Sequence, residues 1–299
     1  MDGLLLVDKH TGPTSHDLVA SLRAVFDGAK TGHTGTLDPL ASGLLVILVG
    51  RATKLAPYVP GDPKIYEGRI LLGVSTDSLD MEGQIIAEMH YDKGRDEAQA
   101  ALSSLVGTVE QKPPMYSATK YRGKPLYRYA RRGEDVPRKS RKVRIYRCEM
   151  CGFHTTEGRA ELDFYVECSP GTYVRDLAAR VGDVLGCGGV ISRLRRIASG
   201  PYRVEDALTM QEIREYDAGK EELLLPPERA VEGYKSIRVS QAGLKAALNG
   251  APLSGSLVSI EDKGIEEGDI VKVFGDDEFL GMHRVISKDP LTTRACRMI

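Results

Sequence analysis

Residues 32–45 of the chain read Gly32-His33-Thr34-Gly35-Thr36-Leu37-Asp38-Pro39-Leu40-Ala41-Ser42-Gly43-Leu44-Leu45, which sets one carboxylate in a loop of glycines and threonines. Glycines on both sides of Asp38 let the backbone reach conformations closed to other residues, and Pro39 fixes the chain after the carboxylate. The apolar run from Leu44 to Val49 predicts a buried strand, so the loop is anchored to a core. Loops held in this way often carry function, although Asp-Pro among Gly and Thr is more often a plain turn.

The composition is that of an ordinary globular protein with a full core. The chain has 299 residues, 41% hydrophobic and 28% charged, which predicts roughly two domains and no disorder. No signal sequence or membrane span is recognisable, and we therefore predict a cytoplasmic location. The five cysteines are an odd number and are scattered, which predicts reduced thiols rather than a disulfide framework.

Cys148 and Cys151 form a C-x-x-C motif, which occurs in zinc sites and in redox-active proteins. The motif follows an alternation of basic and apolar residues typical of a strand, and positions three apart on a strand point to opposite faces. A second C-x-x-C or a matching histidine pair is missing from the chain. The sequence therefore predicts no metal site.

The net charge of −1 conceals a strongly basic segment. Between Lys120 and Arg147 there are twelve Lys or Arg residues but only two acids, whereas acids predominate in segments 205–232 and 261–278. Such a segment favours a polyanionic partner, although a charge run is also a common solvated surface.

Tyrosines recur among these cations, as in Met115-Tyr116-Ser117-Ala118-Thr119-Lys120-Tyr121-Arg122-Gly123-Lys124 and in the residues that follow. Cations neutralise phosphates, and tyrosine rings stack on bases, so the mixture favours nucleic acid over a purely structural role. RNA fits better than duplex DNA because no recognition-helix or zinc-finger signature is present.

Outward from the Asp38 loop, strands and helices alternate without βαβ regularity. We predict an α+β fold around a largely antiparallel sheet. The predicted strands cover residues 4–7, 44–49, 65–74, 142–150 and 160–168, and the predicted helices follow the Thr14 and Asp17 capping box and cover residues 95–106, 121–132 and 176–185.

Arg175 is predicted near the start of the last of these helices, where the helix dipole does not favour a cation. Its placement suggests that another group requires it, although a surface arginine is the commoner case.

The C-terminal segment is predicted to form a separate small unit. A boundary falls in residues 225–234, after which short strands at 237–239, 257–260, 270–274 and 279–286 are separated by turn signals. This pattern is typical of a compact β-barrel. We predict one domain over residues 1–230 and a second over residues 235–299.

Several motifs in order resemble the bacterial tRNA pseudouridine synthases of the TruB family over almost the whole chain. The matching motifs are Gly12-Pro13-Thr14-Ser15-His16-Asp17, the Asp38 loop, Lys64-Ile65-Tyr66, Pro113-Pro114-Met115-Tyr116-Ser117-Ala118, Lys120 with Gly123, Gly171-Thr172-Tyr173-Val174-Arg175 and Leu194-Arg195-Arg196. The resemblance implies a pseudouridine-synthase fold with a C-terminal PUA-like barrel. It also implies isomerisation of uridine 55 in the T arm of tRNA.

The resemblance further implies that Asp38 is the nucleophile, that Tyr66 lies in the active site and that Arg175 pairs with Asp38. An adjacent arginine would keep the carboxylate ionised and oriented, as either attack on the anomeric carbon or assistance to its deprotonation requires. The other residues implied to bind the substrate are His33, which would fill the space of a flipped base, Tyr173 and Lys64. The predicted RNA-binding surface comprises Lys120, Arg122, Lys124, Arg131, Arg132, Lys139, Arg141 and Lys142. The chemistry needs no metal, redox cofactor or ATP, and we expect none.

The chain departs from the family pattern at His10, Ser42 and Arg180, none of which carries a central role. A catalytically silent tRNA-binding or tRNA-folding protein is the alternative from another class, and a synthase acting on another RNA is a further one. A guide-RNA-dependent synthase would be expected to need protein partners and basic tails. We expect a monomer that binds the T arm of tRNA without a guide and without a membrane.

Overall fold

The computed structural model describes residues 1–299 and contains six α-helices and twenty strands. The helices are α1 Ser15–Val25, α2 Arg95–Ser103, α3 Leu126–Ala130, α4 Val174–Leu185, α5 Met210–Glu215 and α6 Gln241–Leu248. The strands of the first three-quarters of the chain are β1 Gly3–Lys9, β2 Thr31–His33, β3 Ala41–Val49, β4 Lys64–Leu72, β5 Val74–Thr76, β6 Ile85–Glu88, β7 Gly107–Gln111, β8 Lys120–Tyr121, β9 Lys124–Pro125, β10 Arg141–Thr156, β11 Arg159–Cys168, β12 Gly189–Ser199, β13 Tyr202–Arg203 and β14 Leu208–Thr209. The remaining strands are β15 Ser236–Val239, β16 Leu253–Ser254, β17 Val258–Ile260, β18 Ile270–Gly275, β19 Glu278–Lys288 and β20 Leu291–Met298.

The larger sheet has ten strands, of which eight follow the order β14-β1-β3-β12-β4-β11-β10-β7. Only the pairs β1–β14 and β3–β12 are parallel, so the sheet is mainly antiparallel as predicted. β3 lies near one side of this sheet, beside β12, and is almost wholly buried. The Asp38 loop feeds directly into β3, and the loop is therefore held by the core, as its apolar continuation indicated.

The core lies on both faces of this sheet. Helices α1, α2 and α4 pack on one face through residues such as Leu22, Leu102 and Leu177, which belong to one buried cluster. On the other face, Leu48 of β3 shares a second cluster with Phe279 of β19. Apolar burial of this kind contributes about 25 cal/mol per Å² and supplies most of the stability.

The C-terminal strands form a second sheet in the order β16-β20-β19-β18-β15-β17, which is nearly closed and barrel-like. It encloses its own buried cluster, which includes Val271 and Val273. The α+β fold with a small C-terminal barrel is confirmed, although α6, inserted between β15 and β16, was not predicted from the sequence.

The predicted helix over 121–132 is wrong for its first half. Residues 120–125 form the β8–β9 hairpin, because Arg122 and Gly123 both adopt positive φ at its turn, and only α3 is helical. The predicted strand 65–74 is interrupted at Gly73, whose φ is +94°. Among the longer strands, β7, β12 and β20 were not predicted, and several strands of two to four residues were also missed.

None of the helices combines the length and apolar character that crossing a membrane requires. Cys148 is buried and Cys151 is exposed on β10, in agreement with the opposite faces predicted for the C-x-x-C motif.

Candidate active site

The Asp38 loop is fixed by hydrogen bonds from the start of α1. The Ser15 hydroxyl donates to the carbonyl of Leu37 at 3.0 Å and accepts from the Leu37 amide at 2.8 Å. The amide of Gly12 donates to the carbonyl of Pro39 at 2.9 Å. Backbone groups on both sides of Asp38 are thus satisfied by α1 and the segment that precedes it, so the carboxylate is held in one position.

Two buried cations lie against the same loop. The Lys9 amine, at the end of β1, donates to the carbonyl oxygens of Ala41 at 2.7 Å and Pro39 at 3.4 Å. Burial lowers the pKa of Lys9 to about 8, and Asp38 opposes that change. Arg196, on β12, donates to the carbonyl of Gly35 at 2.9 Å. Two cationic side chains, those of Lys9 and Arg196, therefore bind the backbone of the loop.

Arg175 reaches Asp38 from the first turn of α4. Its Nε lies 2.9 Å from Oδ2 of Asp38, and its side chain is only 4% exposed, whereas that of Asp38 is 35% exposed. The ion pair therefore has a buried cation and a carboxylate that remains partly exposed to solvent. The structure brings together the two residues that the sequence motifs paired.

A second carboxylate, Asp80, holds Arg175 from the other side. Nη1 of Arg175 lies 3.0 Å from Oδ2 of Asp80 and donates to the carbonyl of Ser78, and Nη2 donates to the carbonyl of Tyr116. Oδ1 of Asp80 accepts from the Ser78 hydroxyl at 2.5 Å and from the amide of Glu82 at 3.1 Å. Both Nη atoms of Arg175 are thus hydrogen-bonded, and Nε is left to the ion pair with Asp38, so the guanidinium is held in one orientation.

Burial raises the pKa of Asp38 above its ordinary range, and the guanidinium of Arg175 opposes this rise. The charge of Asp80 adds to the rise, while Lys9 opposes it. The ionised form of Asp38 thus depends on the cations around the loop.

Tyr66 lies on β4 and is 6% exposed. Burial raises the pKa of its hydroxyl, and the nearby Arg196 opposes that rise. In the register of the sheet, Tyr66 stands directly opposite Arg196, which stands opposite Gly43 on its other side. This register places the tyrosine and the Asp38 loop on either side of one strand.

His33 and Lys64 lie beside the loop in different ways. His33 ends β2, is partly exposed, and accepts a hydrogen bond at Nδ1 from the amide of Gly35 at 3.3 Å. Lys64 is buried, and its amine donates to the Ser199 hydroxyl at 2.9 Å. Burial and the neighbouring charge of Arg196 lower the pKa of Lys64 to about 7.

Tyr173 is the residue immediately before α4. Its hydroxyl lies 2.8 Å from the Thr119 hydroxyl, and Arg141 stacks over its ring at 4.7 Å from the centroid. The buried Gln111 bonds both the amide and the carbonyl of Tyr173, at 2.9 and 3.1 Å. The contacts with Thr119 and Gln111 therefore hold the Tyr173 ring in place. Arg141 already contacts this ring.

The other residues of the predicted basic surface are exposed on the β8–β9 hairpin, at the end of α3 and in the segment before and at the start of β10; they are Lys120, Arg122, Lys124, Arg131, Arg132, Lys139 and Lys142. Several arginines there stack on tyrosines, such as Arg122 on Tyr121 at 5.3 Å and Arg131 on Tyr127 at 5.5 Å. Cation–aromatic pairs of this kind present both a positive charge and an aromatic ring.

Sequence reasoning missed four residues that build the site: Lys9, Ser15, Asp80 and Arg196. Ser15 and Arg196 stand within quoted motifs, but nothing in the sequence indicates which backbone groups they bind. Asp80 lies in Thr76-Asp77-Ser78-Leu79-Asp80, where Leu79 adopts a φ of +65°, and its polar composition predicts only a turn.

Comparison with known proteins identifies the family of the chain. Residues 23–174 match a model described as TruB family pseudouridylate synthase (N terminal domain), and residues 175–232 match tRNA pseudouridylate synthase B C-terminal domain. A tRNA pseudouridine synthase B of Geobacillus kaustophilus is 44% identical over 262 residues, covering 85% of this chain and 91% of that protein. One of Syntrophotalea carbinolica is 38% identical over 286 residues, covering 94% and 91%.

Solved structures share the fold. A chain in the crystal structure of a Cbf5-Nop10-Gar1 complex superimposes with a TM-score of 0.71 and 26% identity, covering 95% of this chain and 78% of that one. A chain of an H/ACA RNP bound to a substrate RNA containing 2′-deoxyuridine gives a TM-score of 0.74 at 22% identity, with 99% and 84% covered, and shows the fold alone. The family models and the relatives confirm the resemblance of the motifs, and the chain belongs to the TruB family of pseudouridylate synthases.

Proposed function

We propose that the protein isomerises uridine to pseudouridine at position 55 in the T arm of tRNA, and that it flips the target base and uses Asp38 as the nucleophile. The observation that most supports this proposal is the ion pair between the buried Arg175 and the half-exposed Asp38. A carboxylate that is fixed, paired with a cation and partly exposed to solvent has the properties that nucleophilic catalysis requires. The family membership supplies the reaction class.

The proposed reaction begins with attack of the Asp38 carboxylate on C1′ of the uridine. The N1–C1′ bond breaks, and its electron pair leaves with uracil as a resonance-stabilised anion. The uracil turns, C5 displaces the carboxylate from C1′, and the C5 proton is replaced by one at N1. Atoms and electrons balance within the substrate, so the proposed reaction consumes no other reagent.

The surrounding residues have separate proposed roles. Tyr66 stacks on the uracil, and its hydroxyl lies near the C5 proton that must leave. His33 fills the space that the flipped base vacates, and Tyr173, held by Gln111 and Thr119, lines the pocket. Lys64 contributes positive charge near Gly35 when it is protonated.

The RNA path is proposed to follow the basic surface described above. Its exposed cations would neutralise phosphates, and the arginine–tyrosine stacks would contact sugars and bases. We also propose the division into a catalytic domain over residues 1–230 and a PUA-like RNA-binding domain over residues 235–299. The protein is proposed to act on free tRNA as a monomer, without a guide RNA.

The experiment is tritium release from a tRNA transcript labelled at uridine C5, with purified protein alone. Wild-type protein is compared with Asp38→Asn, whose side chain has nearly the same shape but no charge, and with Asp176→Asn as the matched control. Asp176 also pairs with an arginine of α4, Arg180, at 2.7 Å. A transcript in which position 55 is cytidine tests the site of modification.

Release by the wild type and by Asp176→Asn, but not by Asp38→Asn or from the altered transcript, is the expected result. Asp38→Asn should retain RNA affinity within about threefold, because Asp38 is proposed to act in the reaction, whereas the basic surface is proposed to provide most of the RNA binding. Binding without release by the wild type would instead favour a silent RNA-binding protein or another RNA substrate. Release only after addition of a guide RNA would contradict the proposal of independent action.

A further inference from the structure

Arg196 is a buried cation that donates hydrogen bonds to three backbone carbonyl oxygens. Its side chain is among the largest that are fully buried, at 1% exposure. Nε donates to the carbonyl of Leu44 at 2.8 Å, Nη2 to that of Gly35 at 2.9 Å and Nη1 to that of Thr36 at 3.4 Å. Burial of a charge has an unfavourable desolvation free energy, and an apolar side chain could fill the same space without it. A purely structural role therefore does not explain an arginine here.

The three carbonyls lie on both sides of Asp38. Gly35 and Thr36 precede the carboxylate, whereas Leu44 follows it in β3. One planar guanidinium thus ties the two arms of the loop together, which a flexible ammonium group would do less well. The guanidinium of Arg196, together with Ser15 and Lys9, sets the position of Asp38.

The backbone of Arg196 approaches β3 closely. A Cβ at Gly43, which has a φ of +98°, would lie 2.2 Å from the carbonyl oxygen of Arg196. Only glycine fits this contact, so β12 and β3 meet in one register at the end of the loop.

The same strand faces Tyr66 on its other edge. Arg196 and Tyr66 are opposite each other in the β4–β12 pair, and the guanidinium acts electrostatically on the buried phenol. A displacement of Arg196 would therefore change the position of Asp38 relative to Tyr66. These are the two groups that the proposed function places on the sugar and on the uracil.

We propose that Arg196 is a positioning residue that fixes the Asp38 loop relative to Tyr66, and this inference rests on the proposed function. It contacts neither the sugar nor the base. Its loss would leave RNA binding nearly intact, because the binding surface lies elsewhere, but would loosen the geometry of attack. A misplacement of about 1 Å costs on the order of 100-fold in rate.

The test compares Arg196→Lys and Arg196→Met with the matched controls Arg193→Lys and Arg193→Met. Arg193 lies on the same strand, but its side chain is 68% exposed. For each variant we would measure kcat and KM for tritium release, the RNA Kd, the thermal midpoint, and hydrogen exchange of the loop amides. Tyr66→Phe is added alone and together with Arg196→Lys.

For Arg196→Lys, we expect kcat to fall on the order of 100-fold, KM and Kd to stay within about threefold, and loop amides to exchange faster. The Arg193 variants should match the wild type. Removal of the Tyr66 hydroxyl should cost less in the Arg196→Lys background than in the wild type, because the two residues act together.

The inference is overturned if folded Arg196→Lys keeps the kcat of the wild type, or if the loop amides of this variant exchange as in the wild type. It is also overturned if the effects of Arg196→Lys and Tyr66→Phe on kcat are independent and multiply. Arg196→Met, which removes the charge, could unfold; Arg196→Lys, which retains it, then decides. If the proposed function is wrong, the wild type itself shows no tritium release. The hydrogen-exchange measurement still tests the role of Arg196 in that case, because it needs no turnover.

Discussion

Replacing Arg175 by methionine removes a buried guanidinium and leaves two carboxylates without their cation. Arg175 contacts Asp38, Asp80 and the carbonyls of Ser78 and Tyr116. Hydrogen bonds to charged groups contribute about 1.5–3 kcal/mol each, but removal also relieves the desolvation of the guanidinium. The Asp38 contact is discounted because that side chain is 35% exposed and partly screened. The expected loss is about 4 kcal/mol in the free energy of unfolding, within the range of about 3–5 for a broken buried pair.

The loss of unfolding free energy in Arg175→Met should increase with pH. Burial raises the pKa of Asp38 and Arg175 opposes this, so Arg175→Met moves that pKa further upward. A group whose pKa is raised in the folded state contributes stability at low pH, and this contribution is lost as pH rises through the folded pKa. The difference between wild type and variant should therefore grow as pH rises from the ordinary range of a carboxyl group through the folded pKa of Asp38.

Urea unfolding followed by far-UV circular dichroism measures these differences; the chain has no tryptophan to serve as a fluorescent reporter. Arg180→Met is the control on the same helix, and its partly exposed pair with Asp176 should contribute about 1 kcal/mol or less. Adding Asp80→Asn to Arg175→Met should restore at least about 1 kcal/mol, since it removes the orphaned charge. A loss below about 1 kcal/mol for Arg175→Met, or no recovery in the double variant, would refute this account of the network.

Three other outcomes are expected. The kcat/KM of the wild type should rise with pH as Asp38 ionises, and an unchanged rate down to pH 4 would contradict a carboxylate nucleophile. Charge reversal at Lys120, Lys139 and Lys142 should weaken RNA binding and reduce the slope of log K against log salt by about 2–3, whereas an unchanged slope would exclude this surface from the RNA path. Gly43→Ala should destabilise the protein by at least about 2 kcal/mol, measured by urea unfolding, because its Cβ meets a backbone oxygen of β12; a loss below about 1 kcal/mol would contradict the close approach.

The sequence predicted the parts of the site that depend on local pattern. The glycines and the proline around Asp38 indicated a fixed loop, and the apolar run after it indicated the strand that anchors the loop. The position of Arg175 at the start of a helix, where the dipole does not favour a cation, indicated a partner elsewhere. In each case the signal lay within a few residues of the group concerned.

The parts that could not be predicted depend on register between distant segments. Asp80 and Arg175 are 95 positions apart, and Arg196 binds carbonyls more than 150 positions away. Carbonyl acceptors belong to every residue, so no sequence pattern marks them. The helix predicted over 121–132 failed for a different reason, because positive φ at Arg122 and Gly123 selects a hairpin over helical propensity.

Lys9 and Arg196 are bound by backbone carbonyls rather than by carboxylates, which would be stronger partners, and the charge of Asp38 explains this difference. Asp80 already raises the pKa of Asp38, and a further carboxylate beside Lys9 or Arg196 would raise it more. Carbonyl oxygens satisfy the donors of both cations without adding a negative charge. Lys9 thereby keeps its effect on Asp38, which lowers the pKa of the carboxyl group. Lys9 thus both holds the loop and favours the ionised form of Asp38 on which the proposed attack depends.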